Sequence, residues 1–496
     1  MKFILKYELK LLNSSTEPER SVANVAPSKH NSWKQKIRIP LWETNMIKLN
    51  DIKNVYFIGA GGIGMSAIER FFLSRGVKVS GYDKTETVLT AQLKSEGVLI
   101  HFEDSVELLD KEAQLVVYTP AVPKDHKELN WYRDNGYEVV KRSDVLQIIT
   151  ADSFNICIGG THGKTTISSM VGHVLRHTGF GCNAFLGGIA VNYNSNFWSS
   201  DNNVCVVEAD EYDRSFHKLS PDIAVLTAMD PDHLDIYGTA EAMQAAFVEF
   251  AEKTKPGGLL IRRSSLTRLA TANVSNQLTY GLKDTNADVH LAALRTDDGS
   301  YWFDVKVKGE ALKEVNLNVG GLHNVENVLV AITIAKHLGI EDEKIKDAVA
   351  AFKGVKRRFE YVIKNEQHVV IDDYAHHPEE LNALISGARS VFPDRKMTVV
   401  FQPHLFSRTR DLADGFAAAL DKADEVILLP IYPARELPME GVTSSMILEL
   451  MKNEKIQLLD KGEMLNWVTA NKPALLIMAG AGDIDALVKP AAEILN

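Results

Sequence analysis

The sequence predicts an α/β protein of three units in series, each a mostly parallel sheet flanked by helices. Three observations carry that reading. Apolar strand-like runs alternate with helical stretches along most of the 496 residues. Two of the runs end in glycine-rich turns that open a helix, "GAGGIG" at Gly59 to Gly64 and "GGTHGKTT" at Gly159 to Thr166. The alternation also restarts twice, near Ala151 and near Val355. A chain of this length exceeds what one hydrophobic core supports, so several domains are expected.

Composition narrows the class. Hydrophobic residues make up 45% and charged residues 24%, an ordinary globular balance. The net charge of −10 argues against nucleic acid as the main partner, because a duplex binder presents a basic face. Cys157, Cys182 and Cys205 are too few and too scattered for a disulfide framework or a zinc site, and read as reduced, partly buried thiols. No apolar run is long enough to span a bilayer. The N-terminal "MKFILKYELKLL" has charges inside its apolar stretch and no cleavage site, so a cytoplasmic protein is expected.

Residues 1–45 contain "NSSTEPERSVANVAPSKHNSWKQK", polar and without periodicity, which predicts a disordered extension. Met46 opens a first domain, expected over 46–151. Its strands are "VYFIGA" from Val55, "VKVSGYD" from Val77 and "LVVYTP" from Leu115, with a helix over Ser66 to Ser74. A second domain, expected over 152–355, starts with the strand "FNICI" and the helix "TTISSMVGHVLRHTG" closed by Gly179. Strands "NVCVVEAD" and "DIAVLTAMD" follow, then a polar β-rich section from about Leu278 to Leu317 and the helix "HNVENVLVAITIAKHLG". After "GVKRRFE" a third domain, 356–496, carries the strands "HVVIDDY", "MTVVFQP", "EVILLPIYP" and "ALLIMAGAGD". No repeat of solenoid period is present.

The first glycine turn fits the dinucleotide fingerprint. Gly59, Gly61 and Gly64 are in place, and Asp83 ends the next strand at the required distance. Such a turn lets the backbone approach a diphosphate, whether of NAD or of a nucleotide sugar. The second turn is one residue short of the usual phosphate loop, since Ile158 stands where the first glycine would be. Strand, glycine loop, Lys-Thr and helix are nevertheless in order. Lys164 can neutralise β- and γ-phosphate charge, Thr165 offers a hydroxyl to Mg²⁺, and the amides from Gly160 to Lys164 can form an anion nest.

Two acidic clusters end neighbouring predicted strands: Glu208, Asp210, Glu211 and Asp213, then Asp230, Asp232, His233 and Asp235. In an open parallel sheet the ligand lies at those ends, so oxygen ligands for Mg²⁺ are expected there. The third unit adds Asp372, Asp373, Tyr374, His376 and His377, then His404, Arg408 and Arg410, with Arg357 and Arg358 at the joint. Arginine forks suit phosphate or carboxylate, which predicts that this unit closes over a nucleotide.

In order, "IGAGGIGMS", "GTHGKTT", "EADEYD", "DHLDIYG", "HNVEN", "KRRFE", "DDYAHHP" and "FQPHLFSRTR" resemble the Mur ligases, the ATP-dependent amide ligases of peptidoglycan precursor synthesis. The resemblance runs from about Met46 to the end and is far more specific than either glycine motif alone. It also accounts for the short loop, because the family form Gly-Thr-x-Gly-Lys-Thr runs from Gly160 to Thr165. It implies a Rossmann-like N-terminal domain, a central P-loop ATPase-type domain and a Rossmann-like C-terminal domain. Within the family the motifs look most like members that join L-alanine to UDP-N-acetylmuramate through an acyl phosphate.

The resemblance implies residue roles as well. Gly59, Gly61, Gly62, Ile63 and Gly64, with Asp83 and Thr119, would hold the UDP-sugar. Gly160, Thr161, His162, Gly163, Lys164, Thr165 and Thr166 would hold ATP, with His323, Asn324 and Asn327 bordering the adenine. Arg358 and Asp373 would meet the nucleotide from the third domain. Thr165, Glu208 and His233 would ligate Mg²⁺. Tyr374, His376, His404 and Arg408 would line the amino-acid pocket. Lys164, His233, His376 and Arg358 would carry the catalysis, with His376 or His404 as the base. A monomer or weak homodimer is expected. Two positions depart from the pattern: Leu405 stands where arginine is expected, with Arg410 a substitute, and Tyr212 stands where serine is common. Tyr212 also occurs in the related ligase that salvages the murein tripeptide, which is the alternative within the family. From other classes, the first glycine turn alone suits an NAD-dependent oxidoreductase, and the second suits a non-catalytic ATP switch.

Overall fold

A computed structural model of the chain describes residues 49–231, 234–297, 299–434 and 436–496. The expected extension over residues 1–45 lies outside the described residues. Leu49–Asn496 form one compact unit built on three sheets.

The first sheet holds β1 (Asn54–Ile58), β2 (Lys78–Tyr82), β3 (Leu99–His101), β4 (Leu115–Tyr118) and β5 (Val139–Lys141), all parallel, in the order β3-β2-β1-β4-β5. All five residues of β1 are buried, which is why it reads as an unbroken apolar run rather than an alternating one. The chain leaves β1 towards β2 and later returns to β4 on its other side. That reversal opens a crevice at the carboxyl end of β1, where Gly59 to Gly64 lie.

The second sheet has ten strands: β6 (Phe154–Gly159), β7 (Asn183–Ala190), β8 (Ser195–Trp198), β9 (Val204–Ala209), β10 (Ile223–Leu226), β11 (Leu259–Arg263), β12 (Asn276–Gly281), β13 (Val289–Asp297), β14 (Ser300–Val307) and β15 (Glu310–Leu317). Their order is β15-β14-β13-β12-β11-β10-β6-β9-β7-β8. The polar β-rich section forms the antiparallel edge β13-β14-β15, and β6, the strand of the second glycine loop, lies inside with parallel neighbours on both sides. The third sheet holds β16 (Glu360–Lys364), β17 (Val369–Asp373), β18 (Met397–Phe401), β19 (Glu425–Leu428), β20 (Ile456–Leu458) and β21 (Leu475–Ala479), in the order β16-β17-β21-β18-β19-β20, parallel except for β16.

The joints between the sheets differ in chemistry. The second and third sheets contribute to one continuous apolar cluster. At their seam Phe359 fills the space above two glycines: a Cβ on Gly320 would lie 2.0 Å from its ring, and one on Gly387 would lie 3.3 Å from it. The first and second sheets meet through a buried polar contact. Asn196 on β8 donates to the Ile63 carbonyl at 2.6 Å and to Ser66 Oγ at 3.0 Å, and accepts from Arg70. Phe71 packs edge-on against Phe197 beside it, with ring centroids 6.1 Å apart. The three cysteines are buried and unpaired, and no helix among the described residues is long and apolar enough to cross a membrane.

Candidate active site

The second glycine loop is shaped by its backbone. Gly160 has φ +124° and Gly163 has φ +82°, a region that side chains rarely adopt. A Cβ on Gly160 would lie 2.2 Å from Thr227 Oγ1, so the loop is closed tightly against the end of β10. Lys164 begins the helix Lys164–His177, and its ammonium donates to the Gly160 carbonyl at 2.8 Å and to Glu211 Oε1 at 2.7 Å. The Glu211 side chain is 2% exposed, and its Oε2 has no hydrogen-bond partner. Burial raises the Glu211 carboxyl above its ordinary range, and the Lys164 charge opposes that rise. The ammonium is thus held beside the loop by a carboxylate that is itself poorly satisfied. A phosphate in the nest offers Lys164 a better anion.

Glu208, on β9, is the second carboxylate at the loop. Ser168 Oγ and the Gly187 amide fix its Oε1 at 3.0 and 2.6 Å, and the Thr165 hydroxyl donates to its Oε2 at 3.2 Å. Two oxygen ligands side by side suit a hard cation such as Mg²⁺. Among the described residues no three histidine, cysteine or acidic side chains converge on one point. His233, assigned to the metal by resemblance, lies outside the described residues. The sequence pattern predicts that the two acid-rich strands are neighbours. Instead β9 and β10 flank β6, one on each side, so their acids approach the loop from opposite edges. On the β10 side, Thr161 Oγ1 accepts from the Asp230 amide at 3.2 Å, and the exposed His162 lies 3.7 Å from the Asp230 carboxylate. Thr166 is buried in the first turn of the helix.

Of the residues assigned to the adenine, His323 is exposed at the start of the helix Leu322–His337. Asn324 is 2% exposed and donates to the Gly320 carbonyl at 2.7 Å, so its side chain supports the seam rather than facing a ligand. Asn327 donates to Asn324 Oδ1 at 3.3 Å, and a Cβ on Gly163 would lie 3.1 Å from its Oδ1. It therefore stands over the phosphate loop.

The first glycine loop is held by its own backbone amides. Gly59 (φ +91°) and Ala60 donate to the Tyr82 carbonyl at 2.8 and 2.9 Å, and Gly61 donates to Asp83 Oδ2 at 2.7 Å. Thr119 backs the turn, its methyl 2.6 Å from where a Cβ on Gly59 would lie. The helix Ile63–Ser74 opens from Gly62. The structure thus gathers Gly59 to Gly64, Asp83 and Thr119 in one place.

In the third unit, Tyr374, His376, His404 and Arg408 form a continuous row. Ring centroids lie 5.2 Å apart for Tyr374 and His376 and 6.1 Å apart for His376 and His404, and Arg408 Nη1 lies 3.4 Å from His404 Nδ1. The His404 ring stacks on Tyr432 at 5.7 Å. Burial, with the Arg408 charge beside it, lowers the pKa of His404, so its ring is neutral at neutral pH. Leu405 has φ +71° and caps the helix Phe406–Leu420. Arg410, the candidate substitute for the expected arginine, pairs with its neighbour. Its Nε donates to Asp411 at 2.7 Å, and both side chains are about half exposed.

The paired arginines at the joint separate. Arg357 turns inward: it hydrogen-bonds to the Gly480 carbonyl, lies 3.5 Å from Asp485 and sits 4.9 Å above the Tyr374 ring. Its Nε lies 3.8 Å from Asp372, whose buried carboxyl is pushed up to about 7 by loss of water. Arg358 faces out. Asp373 fixes the turn that carries it, accepting from the Phe359 and Ala375 amides at 2.7 Å each. Arg357 and Phe359, on either side of Arg358, both have positive φ, a strained setting that persists only when the surroundings enforce it.

Family models match the three sheets in turn. A Mur ligase catalytic-domain model matches residues 54–154, a Mur ligase middle-domain model 158–335, and a Mur ligase glutamate-ligase-domain model 357–488. The chain belongs to the Mur ligase family. Among relatives of this Mur ligase, the UDP-N-acetylmuramate–L-alanine ligase of Flavobacterium johnsoniae is 47% identical over 454 residues, 91% of this chain and 99% of that one. The enzyme of the same name from Parabacteroides distasonis is 47% identical, covering 90% of this chain and 98% of its own. Of solved structures, the UDP-N-acetylmuramate–alanine ligase of Thermotoga maritima aligns with a TM-score of 0.77 at 30% identity, over 89% of this chain and 98% of that one. A murein peptide ligase from Psychrobacter arcticus shares the fold, with a TM-score of 0.61 at 21% identity over 89% and 98%.

Two features of this Mur ligase are not assigned by the sequence motifs. Glu211 is visible only as one acid of a cluster, and nothing in the pattern distinguishes it as the partner of Lys164. Arg142, which starts the helix Arg142–Thr150, belongs to no motif, yet its Nη2 lies 3.3 Å from Asp210 Oδ2 on the second sheet. Its place just past the carboxyl end of β5 was the available signal.

Proposed function

We propose that this Mur ligase joins L-alanine to UDP-N-acetylmuramate at the expense of ATP. The observation that carries the reading is near-complete overlap, at 47% identity, with ligases named for that reaction. The row of Tyr374, His376, His404 and Arg408 supports it as an acceptor pocket. ATP lies on the second glycine loop and the sugar nucleotide on the first. A nicotinamide oxidoreductase has no use for Lys164, Glu208 and Glu211 gathered at a second phosphate loop.

The lactyl carboxylate attacks the γ-phosphorus and ADP departs. Lys164 leaves Glu211 for the phosphates and offsets charge on the transferring group. Thr165 and Glu208 are the described residues that would hold Mg²⁺, which neutralises phosphate charge when bound. The neutral amine of L-alanine then attacks the acyl carbon and phosphate leaves. His404, neutral at neutral pH and beside Arg408, is placed to take the amine proton, with His376 next in the row. Arg408 meets the amino-acid carboxylate through its fork. Arg358 meets the nucleotide from the third unit.

The test is ADP release with UDP-N-acetylmuramate and each acceptor offered separately. L-Alanine should be fastest, with glycine and L-serine slower by ~10–200-fold, the range one methyl or hydroxyl allows in such a pocket. Faster ligation of L-Ala-γ-D-Glu-meso-diaminopimelate would move the assignment to tripeptide salvage and make Tyr212 the informative residue.

A further inference from the structure

A cavity of about 140 Å³ lies between residues that follow strands of the first and second sheets. Thr119, Ala121 and Arg142 line it from the first sheet, and Asp210, Tyr212 and Ser215 from the second. Of the two cations that line it, Lys141 and Arg142, Arg142 touches the first glycine loop on one side and the end of β9 on the other. On one side a Cβ on Gly64 would lie 2.9 Å from its Nη1, so the guanidinium rests on the last glycine of the fingerprint. On the other side its Nη2 lies 3.3 Å from Asp210 Oδ2, just past the end of β9.

That placement gives Gly64 a second duty. In the usual fingerprint the last glycine lets helix and strand approach. Here its missing side chain also admits a guanidinium to the mouth of the turn. The Asp210 pairing is weak by its setting: the side chains are 24% and 40% exposed, and such ion pairs contribute little. The opposite oxygen of Asp210 is anchored, accepting from the Tyr212 amide at 3.1 Å, so the carboxylate cannot follow if Arg142 moves.

We propose that Arg142 binds the diphosphate of the sugar nucleotide and releases Asp210 in doing so. This rests on the assignment of the sugar nucleotide to the first glycine loop. A diphosphate at Gly59 to Gly64 presents two negative charges to a guanidinium already in contact with Gly64. The fork can bond two phosphate oxygens at once, which the single bond to Asp210 does not match. Asp210 thereby acts as a stand-in anion that holds Arg142 at the cavity until the ligand arrives. It also ties sugar-nucleotide binding to the second sheet, since the released carboxylate directly follows β9, the strand that carries Glu208.

The test is calorimetric titration of the full chain with UDP-N-acetylmuramate, with UDP-N-acetylglucosamine, which has the same diphosphate and no lactyl carboxylate, and with ATP. Arg142→Ala should weaken both sugar nucleotides by about tenfold or more, the scale of a lost charge-assisted pair. Arg142→Lys should lie between it and the wild type. Asp210→Asn should tighten both by about two- to fivefold, because it removes the competing anion. ATP affinity should stay within about twofold throughout, which a merely structural role for Arg142 would not allow. Loss confined to UDP-N-acetylmuramate would place Arg142 on the lactyl carboxylate and overturn the proposal. Weaker binding by Asp210→Asn would overturn it too, as would equal losses for ATP. If the wild type binds sugar nucleotide and Arg142→Ala binds it equally, the inference fails alone. If the wild type binds none, the functional reading fails with it.

Discussion

The helix after the first glycine loop buries Glu69, the helix after the second buries His173, and the fold treats the two in opposite ways. On Ile63–Ser74, Glu69 is fully buried and neither carboxylate oxygen has a hydrogen-bond partner. On Lys164–His177, His173 is equally buried but satisfied at both nitrogens, Nε2 with the Ala348 carbonyl at 2.8 Å and Nδ1 with the Tyr193 hydroxyl at 2.9 Å. The loops themselves contrast as well. The first is closed by amides on Tyr82 and Asp83, while the second stores an ion pair between Lys164 and Glu211. A loop closed by its own backbone amides keeps those bonds when a ligand binds. A loop that must exchange a buried ion pair for a phosphate couples binding to charge movement. On the proposed reading, the first loop recognises the sugar nucleotide and the second carries the phosphoryl chemistry.

The largest expected effect breaks the second loop. Lys164→Ala should lower kcat by about 10³-fold or more, the scale of removing a cation from a phosphoryl-transfer site. ADP release under saturating substrates reads it directly. A fall of less than about tenfold would mean that Lys164 is an ordinary loop residue.

Next comes the satisfied histidine. Burial lowers the pKa of His173 from 6.5 to about 4, and the charges of His177 and Arg176 add to the shift. The folded state therefore binds fewer protons than the unfolded chain between those values. The stability from neutral His173 is complete above about pH 6.5 and is lost as pH falls towards about 4. The loss amounts to about 3 kcal/mol. His173→Gln keeps a donor for the Ala348 carbonyl and should flatten this dependence. Urea midpoints at pH 7.5 and pH 5 for both proteins decide it, and parallel pH slopes would count against the assignment.

The smallest effect has the opposite sign. Burial raises the Glu69 carboxyl well above its ordinary value of 4.5, so the folded state holds the proton that the unfolded chain gives up. Stability is lost as pH rises above about 4.5 towards the folded value. Glu69→Met removes an unsatisfied polar group and should stabilise the protein at neutral pH by about 1–2 kcal/mol. The gain should shrink at pH 4.5. A destabilised variant would show that Glu69 has a partner that the fold hides.

Much of this was legible in the sequence because backbone demands leave residue signatures. Gly59, Gly61, Gly160 and Gly163 mark turns with positive φ or close contacts that few other residues fit. The buried runs at Val55 and Phe154 mark parallel strands covered on both faces. What was not legible depends on long-range placement. The Lys164–Glu211 pair spans 47 residues, and Arg142 and Asp210 are 68 apart. The flanking of β6 by β9 and β10 is a matter of strand order, which periodicity does not encode. Arg357 and Arg358 are identical in type, and only the turn pinned by Asp373 sends one inward and the other out.

The division of labour between the loops is tested most directly by crossing two variants with two nucleotides. Gly61→Ala places a Cβ 2.8 Å from Thr90 Cγ2 and 2.9 Å from Asp83 Oδ2, distorting the first loop alone. Titrated with UDP-N-acetylmuramate and ATP separately, Gly61→Ala should lose about tenfold or more in affinity for the sugar nucleotide and keep ATP, given the ~1–3 kcal/mol cost of overpacking. Lys164→Ala should do the reverse. Parallel losses of both nucleotides in either variant would contradict two separate sites and, with them, the assignment of recognition to one loop and phosphoryl chemistry to the other.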